Sequence, residues 1–227
     1  MKNLTDRMIR QEIFAEILDD NQYALWKSGN ILHATEYEQE ELKRNGYKRI
    51  VVAIDPAVTS NEKSDETGIV VVARGHDNRG YVLEDATMKG TPDQWAQKAI
   101  NMYHKYKADR IVAEVNNGGD LVESVIRTAG GLGFPPVKKV RASRGKEVRA
   151  EPIAAMYERH EFTHVGVHEH LEKQMVDWNP ALDKKSPDRV DALVWGATEV
   201  MQGGGFAEMT EGVGQGIIID SPYISYW

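Results

Sequence analysis

The chain has 227 residues, a formal net charge of −7 and no cysteine. This composition excludes disulfide bonds and thiolate metal sites, and it argues against a protein that coats nucleic acid with its whole surface. The length suffices for one domain with a sizeable core. Because no run of about 18 apolar residues is present and the first residues lack the apolar core of a signal peptide, we expect no membrane association and a reducing compartment.

The first part of the chain carries helical patterns and nothing typical of a sheet. Apolar residues fall on one side of a predicted helix over 6–18, with Asp6 as its N-cap, and a shorter helix is predicted over 36–44. We interpret this part as a helical leader that precedes the main domain. The predicted division is a leader, a main domain and a Gly-rich, then aromatic tail, over residues 1–47, 48–202 and 203–227.

Apolar runs rich in Val and Ile predict the strands of the main domain, at 49–55, 68–74, 81–86, 109–115 and 137–140. The turn-rich residues 76–80 predict a hairpin between the second and third strands. A helix predicted over 92–107 implies a right-handed crossover that places the fourth strand parallel to the first. Further helices are predicted over 121–128, 146–160, 169–178 and 186–201. We therefore predict an α/β fold with a mixed five-stranded sheet, ordered 3-2-1-4-5, with strand 2 antiparallel to the rest and helices on both faces.

Two of these strands end in a carboxylate. Asp55 follows the run Ile50 to Ile54, and Glu114 lies near the end of the fourth strand, just before a Gly-rich loop. If the two strands are parallel neighbours, both side chains lie at the same edge of the sheet, where sites form in open α/β sheets. Asp55 has a structural alternative, because Asp before Pro56 often stabilises a turn.

The last predicted helix adds two acids one turn apart. Ser186 is the expected N-cap and Pro187 the first helical residue, so Asp188 lies in the first turn, where a negative charge favours the helix dipole. This explains Asp188 without a functional role. Asp191 lies beyond the cap among apolar residues, where an uncompensated carboxylate is costly.

The acids on the two strands and the helix predict an all-oxygen metal site of Asp55, Glu114 and Asp191, with Asp188 as a possible fourth ligand. Oxygen ligands suit Mg²⁺ or Mn²⁺ rather than zinc. Such sites commonly hold two ions and catalyse phosphodiester hydrolysis. The histidines at 160, 164, 168 and 170 fit no metal-ligand spacing, so we expect them to be surface residues.

A basic stretch interrupts the acidic background between residues 138 and 149. Its cations are Lys138, Lys139, Arg141, Arg144, Lys146 and Arg149. The functional interpretation is contact with DNA phosphates, because Gly145 permits close approach and a predicted helix begins there. The alternative is a solvated charged face.

Several short motifs resemble the C-terminal nuclease domain of the large terminase subunit of tailed bacteriophages. They are AIDP at 53–56, DETGI at 65–69, AEVNNGGD at 113–120, ASRGK at 142–146, RAEP at 149–152 and SPDRVDALVW at 186–195. Each is weak alone, but together they follow the family's order. Residues 10–26 also resemble the segment that joins the family's ATPase domain to its nuclease domain.

The resemblance implies a ribonuclease H-like fold and a metal-dependent endonuclease that cuts concatemeric viral DNA during genome packaging. By position, Asp55, Glu114 and Asp191 match the family's acidic triad. The resemblance also implies double-stranded DNA, a terminase ATPase domain, a small terminase subunit and a portal as partners, in the host cytoplasm.

Three alternatives have other consequences. A junction resolvase or transposase-like nuclease would share the fold and the acids. A non-catalytic module that docks DNA or a portal protein would need no cluster of buried acids. A sugar-kinase or actin-like ATPase would need a second phosphate-binding hairpin, which the sequence does not show.

Overall fold

The structure is a computed structural model that describes residues 23–56, 66–115, 119–183 and 187–202. The predicted helix over 6–18, most of the loop before the second predicted strand, the expected cap Ser186 and the tail over 203–227 lie outside the described residues.

The described residues form one sheet of seven strands. They are β1 (Leu32–His33), β2 (Arg49–Asp55), β3 (Gly68–Arg74), β4 (Gly80–Asp85), β5 (Arg110–Glu114), β6 (Val137–Val140) and β7 (Phe162–His164). The order is β1-β7-β4-β3-β2-β5-β6, and β3 is antiparallel to both of its neighbours while every other pair is parallel. The predicted order corresponds to β4-β3-β2-β5-β6 and is confirmed.

The predicted count of five strands is wrong, because β7 and β1 extend the sheet beyond β4. The expectation that the first 47 residues contain nothing of a sheet is also wrong, since β1 lies at residues 32–33. These strands have only three and two residues. Alternation of apolar and polar residues cannot be recognised over such lengths, and pairing with a neighbouring strand, a non-local interaction, defines them.

Helices cover both faces of the sheet, as predicted. They are α1 (Glu36–Asn45), α2 (Pro92–Tyr106), α3 (Gly119–Gly130), α4 (Lys146–Glu158), α5 (Glu169–Asp177) and α6 (Asp188–Gln202). Thr91 begins α2 with a capping box that includes Gln94, and Pro92 occupies the first turn. None of the helices within the described residues combines the length and apolar character that crossing a bilayer requires.

The side chains of β2 alternate between two hydrophobic cores. Val51 and Ala53 pack on the face covered by α4, α5 and α6, whereas Val52 and Ile54 pack on the face covered by α2 and α3. Both faces of the strand are therefore buried, which explains why its sequence is a continuous apolar run. The carboxylate at its end lies where this burial stops.

The segment before β2 packs directly on the main domain. Trp26 is only 1% exposed, and its ring centroid lies 6.1 Å from that of Trp178 and 6.4 Å from that of Tyr157. β1 pairs in parallel with β7. The described part of the predicted leader thus contributes to the core and to the sheet of the same domain.

Candidate active site

Asp55 and Glu114 lie at the same edge of the sheet. Their strands, β2 and β5, are parallel, and Ile54 pairs with Ala113, so each acid is the next residue along its strand. The sequence-based expectation that the two carboxylates meet at the carboxyl ends of neighbouring strands is confirmed. Glu114 is 5% exposed.

The first turns of α6 bring Asp188 and Asp191 to this edge. Gly68 pairs with Asp55 in the ladder between β2 and β3. A Cβ on Gly68 would lie 2.0 Å from the carbonyl oxygen of Asp188, so the helix start passes directly over a residue without a side chain. Asp191 is 4% exposed and therefore faces inward. We call Asp55, Glu114, Asp188 and Asp191 the acidic cluster.

The carboxylates of the acidic cluster are close enough to repel one another, and this repulsion affects the pKa of Asp55. Burial, followed by repulsion from Asp191 and Glu114, raises the pKa of Asp55 from 3.8 to about 8, and Lys146 only partly opposes these effects. Asp188 adds a smaller repulsion. The neutral form of Asp55 is therefore favoured in spite of the nearby Lys146. A divalent ion bound here would favour the ionised carboxylate instead.

Two basic residues from the stretch 138–149 enter the acidic cluster. The Lys146 Nζ lies 2.5 Å from Asp191 Oδ2. Arg149 Nη1 lies 3.6 Å from Glu114 Oε2, and its Nη2 lies 3.9 Å from Asp191 Oδ1. Both residues are on α4, which begins at Lys146. In this structure, α4 thus supplies the positive charge that offsets two of the buried acids.

Trp195 holds Glu114 and Arg149 in place. Its Nε1 donates a hydrogen bond of 2.6 Å to Glu114 Oε2. The guanidinium of Arg149 lies over the Trp195 ring, 4.5 Å from its centroid. A cation over an indole face is favourable, most of all where water is largely excluded. Trp195 was not predicted to be a site residue, although it lies one turn beyond Asp191 on the same helix.

The structure distributes the remaining basic residues instead of gathering them. Lys138 Nζ forms an ion pair of 2.8 Å with Glu199, and Lys139 Nζ forms one of 3.1 Å with Glu123. Arg141 and Arg144 are exposed in the loop before α4. Six residues are predicted to contact DNA. Among them, Arg141 and Arg144 are the exposed ones that lie nearest to Lys146 along the chain.

Arg189 fixes the start of α6 and was not identified from the sequence. It is 8% exposed. Its Nε donates to Asp85 Oδ2 at 2.8 Å, and its guanidinium also forms an ion pair with Glu66. These partners precede it by 104 and 123 residues. No local pattern could therefore indicate them.

The histidine prediction holds only in part. His160 and His170 are exposed, as expected. His164 is 0% exposed, so its assignment to the surface is wrong, and His168 is half-buried. The cause is β7, which carries His164 into the sheet and was too short to predict.

Comparison with known proteins identifies the family. The family of terminase RNase H-like domains matches residues 52–199. The chain belongs to this family, within the ribonuclease H-like superfamily of nucleases. No curated protein matches the chain in sequence.

Solved structures show the same fold. The nuclease domain of the large terminase subunit gp2 of bacterial virus Sf6 is 15% identical, with a TM-score of 0.52 over 75% of this chain and 96% of that one. A lysine-to-alanine variant of that domain, with manganese and beta-thujaplicinol, gives a TM-score of 0.54 at 15% identity and the same coverages. The large terminase of the thermophilic bacteriophage D6E gives a TM-score of 0.57 at 9% identity, covering 88% of this chain and 52% of that one.

The close approach of α6 to Gly68 yields a stability prediction. Gly68→Ala places a methyl group against the backbone of Asp188, which cannot rotate away, so the helix start must move. We expect a loss of about 1–3 kcal/mol in the free energy of unfolding, measured in urea, because overpacking forces the backbone to shift. Gly29→Ala is the matched control, since a Cβ there meets nothing within 4 Å. Equal stability of both variants would contradict the packing described.

The raised pKa of Asp55 predicts a pH dependence of stability. The folded protein holds this proton more tightly than the unfolded chain, so the stabilisation is complete below the ordinary value of 3.8 and is lost as the pH rises through about 8. In a chelator, the parent should therefore lose stability relative to Asp55→Asn over this interval, as measured by urea midpoints. A difference in stability between the parent and Asp55→Asn that does not change with pH would contradict the raised pKa of Asp55.

Proposed function

We propose that this domain is a metal-dependent endodeoxyribonuclease that cuts concatemeric viral DNA during genome packaging. The observation that carries the proposal is the convergence of Asp55, Glu114 and Asp191 from β2, β5 and α6 at one edge of the sheet. Family membership supports a nuclease. The site residues and the substrate are part of the proposal.

The acidic cluster fits Mg²⁺ or Mn²⁺. Its ligands are carboxylate oxygens, which these ions prefer, and burial together with repulsion from Asp191 and Glu114 raises the pKa of Asp55, which a bound cation would offset. We propose that Asp55, Glu114 and Asp191 hold two ions and that Asp188 is either a fourth ligand or a residue of the helix start. When bound, such ions supply a nucleophilic water and stabilise the leaving oxygen. The manganese in the related Sf6 domain supports a divalent cofactor.

The residues of this chain have separate roles in the proposal. Asp55 and Glu114 extend from paired strands, which keeps their carboxylates in a fixed relation. Lys146 and Arg149 lie against the acidic cluster and offset part of its negative charge. If bound metal ions supplied that charge instead, both cations would be available to contact a DNA phosphate beside the site. Arg141 and Arg144 extend this contact along the DNA backbone.

The proposed partners follow from the family. This chain spans 52% of the D6E large terminase, and another D6E structure was determined in complex with ATP-gamma-S. We therefore propose that the domain acts beside a terminase ATPase domain, with a small terminase subunit and a portal, on double-stranded DNA in the host cytoplasm.

Metal-dependent nicking of supercoiled plasmid tests the proposal. The folded domain should convert supercoiled to open circular DNA with Mg²⁺ or Mn²⁺ and not in a chelator. Binding of DNA without nicking in either metal would instead indicate a non-catalytic docking module. Preferential cleavage of four-way junctions over plasmid DNA would indicate a resolvase.

The exposed arginines yield a prediction about DNA affinity. Arg141→Ala with Arg144→Ala should weaken binding to any duplex and lower the slope of log affinity against log salt by about two, since each phosphate contact contributes about 0.9. Fluorescence anisotropy in a chelator measures both effects. Lys43→Ala with Arg44→Ala on α1 is the charge-matched control. An unchanged slope in the first pair would show that the loop is a solvated face.

A further inference from the structure

A second cluster of metal-ligating side chains lies where β1, β7 and α5 meet. His33 and His164 are paired residues of the parallel strands β1 and β7. Glu172 is on α5, and its Oε1 lies 3.0 Å from His33 Nε2 and 2.8 Å from His164 Nδ1. The ligand atoms of the three residues lie within 4.8 Å of one another. β4 and β3 separate this place from β2, so it is distinct from the acidic cluster.

We propose that His33, His164 and Glu172 bind one transition-metal ion of the zinc class. Two imidazole nitrogens and one carboxylate oxygen form a ligand set that suits Zn²⁺ and neighbouring divalent ions, whereas Mg²⁺ prefers oxygen ligands alone. The fourth position of a tetrahedral ion would be taken by water.

The spacing of the ligands suits such an ion. Around a tetrahedral Zn²⁺ with bonds of about 2.0–2.2 Å, neighbouring ligand atoms lie about 3.3 Å apart. The two nitrogen–oxygen distances are 3.0 and 2.8 Å, so the carboxylate has to retreat by only a few tenths of an ångström. The side chain of His33 is 40% exposed and that of Glu172 16% exposed, which leaves a route from solvent and room to adjust.

Neighbouring groups orient the ligands as in metal sites. His164 Nε2 lies 2.9 Å from the hydroxyl of buried Tyr157, whose oxygen can accept a hydrogen bond from Nε2–H and so leave Nδ1 as the ligand. The backbone N–H of His168 donates to Glu172 Oε1 at 2.9 Å. Without a metal ion, the same groups can form hydrogen bonds with one another if the Tyr157 hydroxyl donates to His164 Nε2 and His164 Nδ1–H donates to Glu172. The arrangements with and without metal differ in which nitrogen of His164 carries the proton, and a measurement of metal binding distinguishes them.

The ion would have a structural role. It would join the two-residue strand β1 to β7 and to α5. Such a short edge strand has few backbone hydrogen bonds of its own, so a bond from His33 to a shared ion would attach the segment before β2 to the domain. Because binding occurs only in the folded state, the ion would raise the melting temperature.

The test uses the full chain, stripped of metal and then kept in excess Mg²⁺ so that the acidic cluster is occupied. Titration with ZnCl₂ by calorimetry should show one strong site, and Co²⁺ should give the intense visible absorption of tetrahedral coordination. His33→Gln and Glu172→Gln should each weaken Zn²⁺ binding at least about 100-fold, since each removes a ligand. Tyr157→Phe should weaken it by about 10-fold or more, because it removes the partner of the ligand ring.

His170→Gln is the matched control, because His170 is exposed on α5, the helix that carries Glu172, and lies outside the cluster of His33, His164 and Glu172. It should leave Zn²⁺ binding and the Co²⁺ spectrum unchanged. His33 is at the surface, so its variant should fold even if variants of His164 do not. Absence of Zn²⁺ binding to the parent, full binding by His33→Gln, or loss of binding in Asp55→Asn alone would each overturn the proposal. None of these outcomes bears on Mg²⁺-dependent nicking.

Discussion

Asp55→Asn and Glu114→Gln should each reduce the rate of plasmid nicking by about 1,000-fold or more, with Mg²⁺ and with Mn²⁺. The amide has nearly the shape of the carboxylate but no charge with which to hold a divalent ion. A factor of 1,000 corresponds to about 4 kcal/mol of transition-state stabilisation, which is within what bound metal ions supply. The measurement is the first-order loss of supercoiled DNA.

The acids of α6 provide the internal comparison. Asp191→Asn should be as inactive as the strand variants, because Asp191 is buried beside them. Asp188→Asn should reduce the nicking rate less, since a negative charge at the helix start already explains the position of Asp188. Circular dichroism establishes that each variant is folded. Full activity of Asp55→Asn would rule out the metal mechanism. An inactive Asp188→Asn together with an active Asp191→Asn would show that Asp188, and not Asp191, is the metal ligand on α6.

Arg189→Met should lower the free energy of unfolding by about 3–5 kcal/mol, the typical cost of removing one partner from a buried ion pair. Arg189 is 8% exposed, and the side chain of its partner Asp85 is 9% exposed. The variant leaves that carboxylate without its cation in a dry environment. Because Arg189 ties α6 to β4, nicking should fall as well, through displacement of Asp191.

Two further variants make the Arg189 experiment specific. Arg189→Lys keeps the charge but cannot serve Asp85 and Glu66 with one planar fork, so its stability should be intermediate. Arg159→Met removes an exposed pair with Glu161 and should change the urea midpoint far less. If Arg189→Met were as stable as Arg159→Met, the ion pairs of Arg189 would not hold the helix start.

The sequence was sufficient to predict the centre of the sheet and the meeting of Asp55 with Glu114. The strands β2 and β3 are long apolar runs and β5 is a shorter one, and a hairpin and a helical crossover leave few ways to order them. Each carboxylate was recognisable because it ends such a run. These signals are local, so sequence patterns contain them.

The parts that the sequence did not predict depend on contacts between distant residues. β7 exists because it pairs with β4 and with β1, and β1 exists because it pairs with β7; this pairing buries His164. Lys146 and Arg149 were interpreted only as DNA contacts, since nothing in a basic stretch indicates that two of its members face buried acids across the fold. Arg189 likewise finds its partners in other elements.

Crystals of the domain soaked in MnCl₂, with diffraction recorded near the manganese absorption edge, test the central claim most directly. We predict anomalous density enclosed by the carboxylates of Asp55, Glu114 and Asp191, with the Lys146 ammonium displaced from its 2.5 Å contact with Asp191. Manganese found only elsewhere on the domain, with Lys146 still paired to Asp191, would contradict the proposed active site.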